Sequence, residues 1–213
     1  MAHYDDALHH LECELKVDTT YLDFCKAFDI VHAILSKKLS LVGVRGKILT
    51  WIRSFLVSRT QRVMVNGILS NPAPVKSGVP QGTVLGPLLF LVLISDIDKD
   101  VTSSFLSSFA DDTRVSKGVS GVSDCSALQG DLEAIYTWAT DSNMSFNSNK
   151  FELLRRGLDT TLKVCTSYTD SDGSFISDKM QVKDLGILMS ADCTFRDQIN
   201  KMCQSAKSCG CEF

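Results

Sequence analysis

FLSSFADDTRVSK, Phe105 to Lys117, is the stretch on which the rest of the chain turns. Phe105 to Ala110 and Thr113 to Lys117 read as short strands flanking Asp111-Asp112. The spacing therefore predicts a tight hairpin with two carboxylates at its tip. Downstream, Leu128, Leu132, Ile135 and Ala139 recur at helical spacing with Trp138 at the edge of their face, so a helix follows the hairpin. Upstream, the unbroken apolar run Val84 to Ile94 reads as a buried core helix. It reaches about half of the ~20 residues that a membrane span requires.

Further out, Val17 to Phe24 (VDTTYLDF) is rich in β-branched and aromatic residues and predicts a strand. Val44, Ile48, Ile52 and Phe55 fall on one face of a predicted helix whose other side carries Lys47 and Arg53. RVMVNGIL, around Asn66-Gly67, carries the strongest short-range signal for a hairpin. Pro72, Pro74 and the Gly78 to Gly82 region mark a loop before the apolar helix. Beyond Phe151 the pattern predicts short strands around a loop over Thr160 to Ser177. A last helix then aligns Phe195, Ile199, Met202 and Ala206. This order points to an α+β fold, an antiparallel sheet with helices packed on one face and the other face open.

Composition sets the outer bounds. With 213 residues, 44% of them hydrophobic, the chain can bury one substantial core in one or two domains. MAHYDDALHHLECELK holds no continuous apolar stretch, which fits neither a signal peptide nor an anchor and implies an intracellular protein, cytoplasmic or nuclear. The eight cysteines show no CxxC spacing and read as reduced and structural. A net charge of -3 excludes a strongly basic coat protein, yet Ile30 to Ser95 contains no Asp or Glu and eight Lys or Arg. A basic stretch beside acidic ones suits polynucleotide binding, because phosphate neutralisation supplies most sequence-independent affinity.

Three segments carry the chemistry jointly: LDFCKAFD (Leu22 to Asp29), SGVPQGTVLGPLLF (Ser77 to Phe90) and FADD (Phe109 to Asp112). Singly, each has an ordinary explanation: a helix cap, a glycine loop, a turn. Together, in this order and at this spacing, they resemble the first three core motifs of the reverse transcriptase family. The wording is closest to the non-LTR retrotransposon type. NMSFNSNK (Asn143 to Lys150) resembles the fourth motif, and KDLGILMS (Lys183 to Ser190) the segment leading to the primer grip. The resemblance runs from about Val17 to Lys207.

What it implies is a polymerase palm that transfers nucleotides to a primer 3′-hydroxyl, an RNA-directed DNA polymerase using two Mg²⁺ ions, with Mn²⁺ as a substitute. Hard cations take oxygen ligands. By resemblance Asp23, Asp111 and Asp112 are the catalytic, metal-binding carboxylates, and Phe24 lends a backbone carbonyl. Adjacent strand residues face opposite ways, so Asp111 and Asp112 are expected to be unequal, with Asp111 the stronger ligand. Phe28 would sense the sugar, Gln81 and Gly82 would support nucleotide and template, and Lys150 would lie near the triphosphate. The implied partners are an RNA template, a DNA primer and deoxynucleoside triphosphates.

Cys25 and Thr83 stand where the family usually has serine, and Ser95 where asparagine is common. The expected layout is a lead-in over 1–16, a palm with remnant fingers elements over 17–160, and a palm C-terminal part over 161–213 that stops before a thumb. A fragment with an intact metal site and an incomplete substrate clamp follows from that layout. The competing readings are a non-catalytic nucleic-acid-binding remnant, a two-metal nuclease and a purely structural domain. PQG and Phe28 argue against the nuclease, which need not sense a sugar.

Overall fold

The computed structural model describes residues 2–13, 15–25, 28, 32–157 and 167–208. Asp29, the first part of the loop expected from Thr160, and Cys165, Cys209 and Cys211 lie outside the described residues. The chain begins with α1 (Ala2–Glu12), β1 (Lys16–Leu22) and β2 (Phe24–Cys25). Next come α2 (His32–Leu41), α3 (Gly46–Leu56), β3 (Arg59–Gln61), β4 (Met64–Val65), β5 (Ile68–Leu69), β6 (Ala73–Val75) and α4 (Leu85–Ile94). The expected hairpin is β7 (Phe105–Phe109) and β8 (Asp112–Val119), followed by α5 (Val122–Asp141) and β9 (Ser145–Phe146). A 3-10 turn (Ser148–Lys150) leads to β10 (Glu152–Arg156), β11 (Ser177–Lys179), β12 (Gln181–Asp184), β13 (Ile187–Ser190) and α6 (Arg196–Ser208).

These elements form two compact units, the first from residues 1–23, 100–136 and 146–213, the second from 24–99 and 137–145. In the first unit a five-stranded sheet runs in the order β11-β10-β1-β8-β7. β1 is central, antiparallel to both neighbours, and its Val17, Thr19 and Thr20 are wholly buried. That is why its sequence reads as an almost continuous β-branched run rather than as a clean alternation. The sheet is antiparallel as expected except at one edge, where β11 joins β10 in parallel.

The register shows which side each helix covers. Side chains alternate along a strand, so Asp18, Thr20 and Leu22 face one way, and Val17, Thr19 and Tyr21 the other. On the first side Tyr168, which lines a hollow with Cys125 of α5, donates its hydroxyl hydrogen to Asp18 at 2.7 Å. Leu128, Leu132 and Ile135 of α5 are wholly buried, each contributing about 1.5–3 kcal/mol of burial. The second side is not fully open. Gly118 pairs with Val17, and a methyl group there would meet His10 of α1 at 2.7 Å. α1 thus lies across that face at the end remote from Asp23. The β12-β13 hairpin also packs there, with Leu154, Val182 and Met189 in one cluster beside Tyr4 and Tyr21. The sequence reading gives no helix over Ala2–Glu12, although Tyr4, Ala7, Leu8 and Leu11 fall at helical spacing amid its charges and histidines.

The second unit holds α2, α3, α4 and the two small hairpin ladders. Asn66 and Gly67 take positive φ (50° and 80°), the turn that NG predicts between β4 and β5. α3 forms where expected but buries Ile52 and Leu56, whereas Ile48 and Trp51 are exposed. Its buried face is therefore rotated from the one the Val44-Ile48-Ile52-Phe55 spacing indicates. α4 buries Leu89, Phe90 and Leu93 and exposes Leu88 and Leu91. Among the described residues no helix is long and apolar enough to cross a membrane. Lys38, Asp96 and Trp138 form a closed cluster: Lys38 pairs with Asp96, its ammonium lies 4.7 Å from the Trp138 ring, and Trp138 Nε1 donates to Asp96 at 2.9 Å. α6 carries the expected stripe, but Ile199 and Met202 are exposed.

Candidate active site

The first unit builds its site from strand register. The β1-β8 ladder ends at Leu22 opposite Thr113, and one step further stand Asp23 and Asp112. Both alternate away from Leu22 and Thr113 onto the same side of the sheet. They line one cleft of about 130 Å³ with Tyr21, Arg114, Lys150, Glu152 and the Val182 to Leu185 stretch of the β12-β13 hairpin. Carboxylates far apart in sequence are thereby neighbours.

The hairpin tip decides which acid of the pair faces Asp23. Phe109 pairs directly with Asp112, so Ala110 and Asp111 form the turn, and Ala110 takes φ 54° to close it. Asp112 is consequently already a strand residue on the cleft side. Asp111 is half-buried in the turn and does not appear in the described lining of the cleft. Partial desolvation pushes the Asp112 carboxyl above the ordinary aspartate range, the charges of Asp111 and Asp23 add to the rise, and Arg114 opposes it. The two carboxylates thus concentrate negative charge in one cleft.

The rest of the cleft is polar and tied down. Lys150 Nζ lies 3.1 Å from Asp23 Oδ2. Its turn is anchored to the same residue, because Asn147 N donates to the Asp23 carbonyl at 2.8 Å and Lys150 N donates to the Asn147 carbonyl at 2.9 Å. Arg114, on the Asp112 face of β8, donates to Asp184 at 2.9 Å, with the two side chains only 9% and 11% exposed. Burial raises Asp184, Arg114 and Arg156 oppose that rise, and Asp112 adds to it. Arg156, itself buried, donates to Thr19 Oγ1 at 3.2 Å and to the Tyr21 hydroxyl at 3.3 Å. The sequence reading misses Arg114, although its position two residues after Asp112 puts it on the same face.

The remaining predicted residues belong to the second unit. Phe28, Val79, Pro80, Gln81, Gly82, Gly86 and Pro87 line a pocket of about 270 Å³. Val79 N donates to the Phe28 carbonyl at 2.9 Å, and the Phe28 ring rests 4.9 Å from that of Phe90. Phe28 is therefore both a packing residue and a wall of the pocket. Gly82 sits at φ 77°, a conformation side chains resist. Thr83 donates to the Pro80 carbonyl at 2.7 Å and accepts from Gly86 N at 3.2 Å, so the substitution of threonine for serine keeps the hydroxyl's work. Arg59 holds the loop from below through the Ser77 and Gly78 carbonyls. Phe24 is buried, its ring edge-on to Trp138 at 6.4 Å.

Among the described residues no three His, Cys, Asp or Glu side chains gather closely enough to hold an ion unaided. Mg²⁺ does not require three, since it commonly keeps several waters and takes one or two carboxylates with substrate phosphates. The Asp23-Asp112 pair supplies such hard donors, and the Lys150 ammonium stands beside Asp23. The donor set fits the ion.

The sequence pattern of the family described as "Reverse transcriptase (RNA-dependent DNA polymerase)" matches residues 12–189, most of the chain, and the chain belongs to that family. Enzymes of this family generally use divalent metal ions. Its curated relatives are polymerases of mobile elements. It is 30% identical over 212 residues to the RNA-directed DNA polymerase from mobile element jockey of Drosophila funebris, covering 95% of this chain and 23% of that protein. The jockey enzyme of Drosophila melanogaster is 35% identical over 153 residues, 68% of this chain and 17% of the relative. The chain thus spans less than a quarter of the length of these relatives. Among solved structures, telomerase from Candida albicans, determined in complex with a fragment of telomeric RNA, superposes with a TM-score of 0.60 at 14% identity over 89% of this chain and 32% of that one. That likeness concerns the fold.

Proposed function

We propose that this chain is the palm portion of a retrotransposon's RNA-directed DNA polymerase and that Asp23 and Asp112, with Asp111 behind them, hold its divalent ions. The observation that carries the reading is the register of β1 and β8, which brings the first-motif and third-motif carboxylates to one cleft. Bound Mg²⁺ ions supply charge stabilisation for the attacking and leaving oxygens of phosphoryl transfer. Asp23 and Asp112 orient those ions through carboxylate oxygens, and Asp111 raises the local negative charge that draws them. Phe24 offers its carbonyl as a further oxygen donor. Arg114 and Asp184 fix the β12-β13 hairpin against the cleft wall, where the primer end would rest. Phe28, Gln81 and Gly82 form the nucleotide and template support, Phe28 selecting a deoxyribose by its bulk. The palm, with remnant fingers elements, then comprises residues 17–160 and its C-terminal part residues 161–213, and the substrates are an RNA template, a DNA primer and deoxynucleoside triphosphates.

The test is incorporation of labelled deoxynucleotide onto a DNA primer annealed to RNA. The reading expects incorporation that needs Mg²⁺ or Mn²⁺ and is lost in Asp23→Ala. Incorporation that survives Asp23→Ala contradicts it. One observation favours a second reading, a non-catalytic nucleic-acid binder: no three-carboxylate cluster occurs among the described residues. Salt-dependent RNA affinity unaltered by Mg²⁺ and by Asp23→Ala, with no incorporation, selects that reading.

A further inference from the structure

We propose that Lys150 is a built-in counter-ion that occupies the cation's place at Asp23, so that an arriving divalent ion must displace it. The inference rests on the reading of Asp23 as a metal ligand. Three observations carry it. The Lys150 ammonium lies 3.1 Å from Asp23 Oδ2. The contact is not a chance meeting of long side chains, because the 3-10 turn that presents Lys150 is hydrogen-bonded to the backbone of Asp23 itself. The Lys150 side chain is 62% exposed and Asp23 31%, so the pair sits at the cleft mouth, where an ion enters from water.

The physical consequence is competition for a single carboxylate. Asp23 Oδ2 cannot give the same lone pairs to an ammonium and to a hard divalent ion. An ion that takes Asp23 through Oδ2 therefore frees a lysine tethered beside it, and the free ammonium faces whatever phosphate accompanies the ion. Without an ion, the lysine balances the charge of Asp23. Lys150 is on this account a positioning residue acting through Asp23.

The experiment uses the full chain and Mn²⁺ as the probe, followed by electron paramagnetic resonance. An exposed pair of this kind is worth a small factor, so Lys150→Met is expected to bind Mn²⁺ roughly two- to fivefold tighter than the parent. Lys150→Arg restores the parent affinity. Lys183→Met, which removes a charge from the same cleft wall with no ion pair to Asp23 among the described residues, changes affinity less. Equal tightening in Lys150→Met and Lys183→Met reduces the effect to general charge and overturns the inference, as does no tightening at all. A second readout needs no metal: single-residue acylation of lysines, resolved by mass spectrometry, should be slower at Lys150 in the parent than in Asp23→Asn. Equal rates overturn the counter-ion whatever Mn²⁺ does. Mn²⁺ binding indifferent to Asp23→Asn, with Lys150 protected all the same, instead defeats the metal-site reading and leaves the ion pair standing.

Discussion

Removing Arg114 exposes what holds the cleft wall. Its partner Asp184 is 11% exposed and sits on the hairpin that closes one side of the site. Deleting one member of a buried pair strands the other charge, at a cost of about 3–5 kcal/mol. We expect Arg114→Ala to lose about 3 kcal/mol in urea unfolding followed by circular dichroism at pH 7, or roughly 6–12 °C in Tm for a chain of this length. The pH dependence follows from Asp184. Burial already raises its affinity for a proton, with Arg114 and Arg156 opposing. Loss of Arg114 raises it further. A carboxyl raised in the folded state contributes stability while protonated, below its unfolded value, and loses it as pH rises through the folded value. The Arg114→Ala penalty should therefore be largest at neutral pH and shrink on approach to 3.8, the ordinary aspartate value. Arg114→Met with Asp184→Leu, which removes both charges and keeps volume, should recover most of the loss. A penalty under about 0.5 kcal/mol, within the range of ordinary surface changes, or one equally large at pH 4 and pH 7, refutes the reasoning.

Three other outcomes follow from the same structure. Asp112→Asn removes a carboxyl whose ionisation is opposed first by desolvation and then by Asp111 and Asp23. At pH 7 in EDTA it should hold or slightly raise Tm, by less than about 1 kcal/mol because solvent screens the group, and the gain should vanish in acid. Lys38→Met breaks the cluster in which hydrogen bonds from Lys38 and Trp138 outweigh desolvation and hold Asp96 below its ordinary range. The stability lost should be largest at neutral pH and fade as pH drops, and Trp138 fluorescence, read in a Trp51→Phe background, should shift to the red. Leu132→Ala, at a wholly buried position of α5, should cost about 2–5 kcal/mol by calorimetry.

Much of the fold is written in local pattern. The FADD hairpin, the NG turn, α5 and the α4 run all have short-range signals, and each forms where its residues indicate. What pattern cannot carry is which surface a helix finally meets. α3 and α6 display apolar stripes by spacing, yet Ile48, Ile199 and Met202 are exposed. Periodicity finds a helix's apolar residues without naming what covers them. α1 is legible as a stripe of Tyr4, Ala7, Leu8 and Leu11 at helical spacing, but His10 against Gly118 is a tertiary contact that no local pattern carries. The family resemblance names Asp23, Asp111 and Asp112 together as candidates, and the cleft lining brings together Asp23 and Asp112. Their order at the cleft depends on turn length, because a two-residue turn after Phe109 puts Asp112 rather than Asp111 on the inner face. Arg114 and Asp184 find each other across the fold, a pairing that only the β12-β13 hairpin's position reveals.

The most direct measurement is a Mn²⁺ titration of the full chain beside Asp23→Asn and Asp112→Asn, followed by electron paramagnetic resonance. The account predicts saturable binding in the parent that either substitution weakens at least tenfold, since both carboxylates serve one cleft. Binding that neither substitution alters would show that β1 and β8 do not bring these groups together as ion ligands.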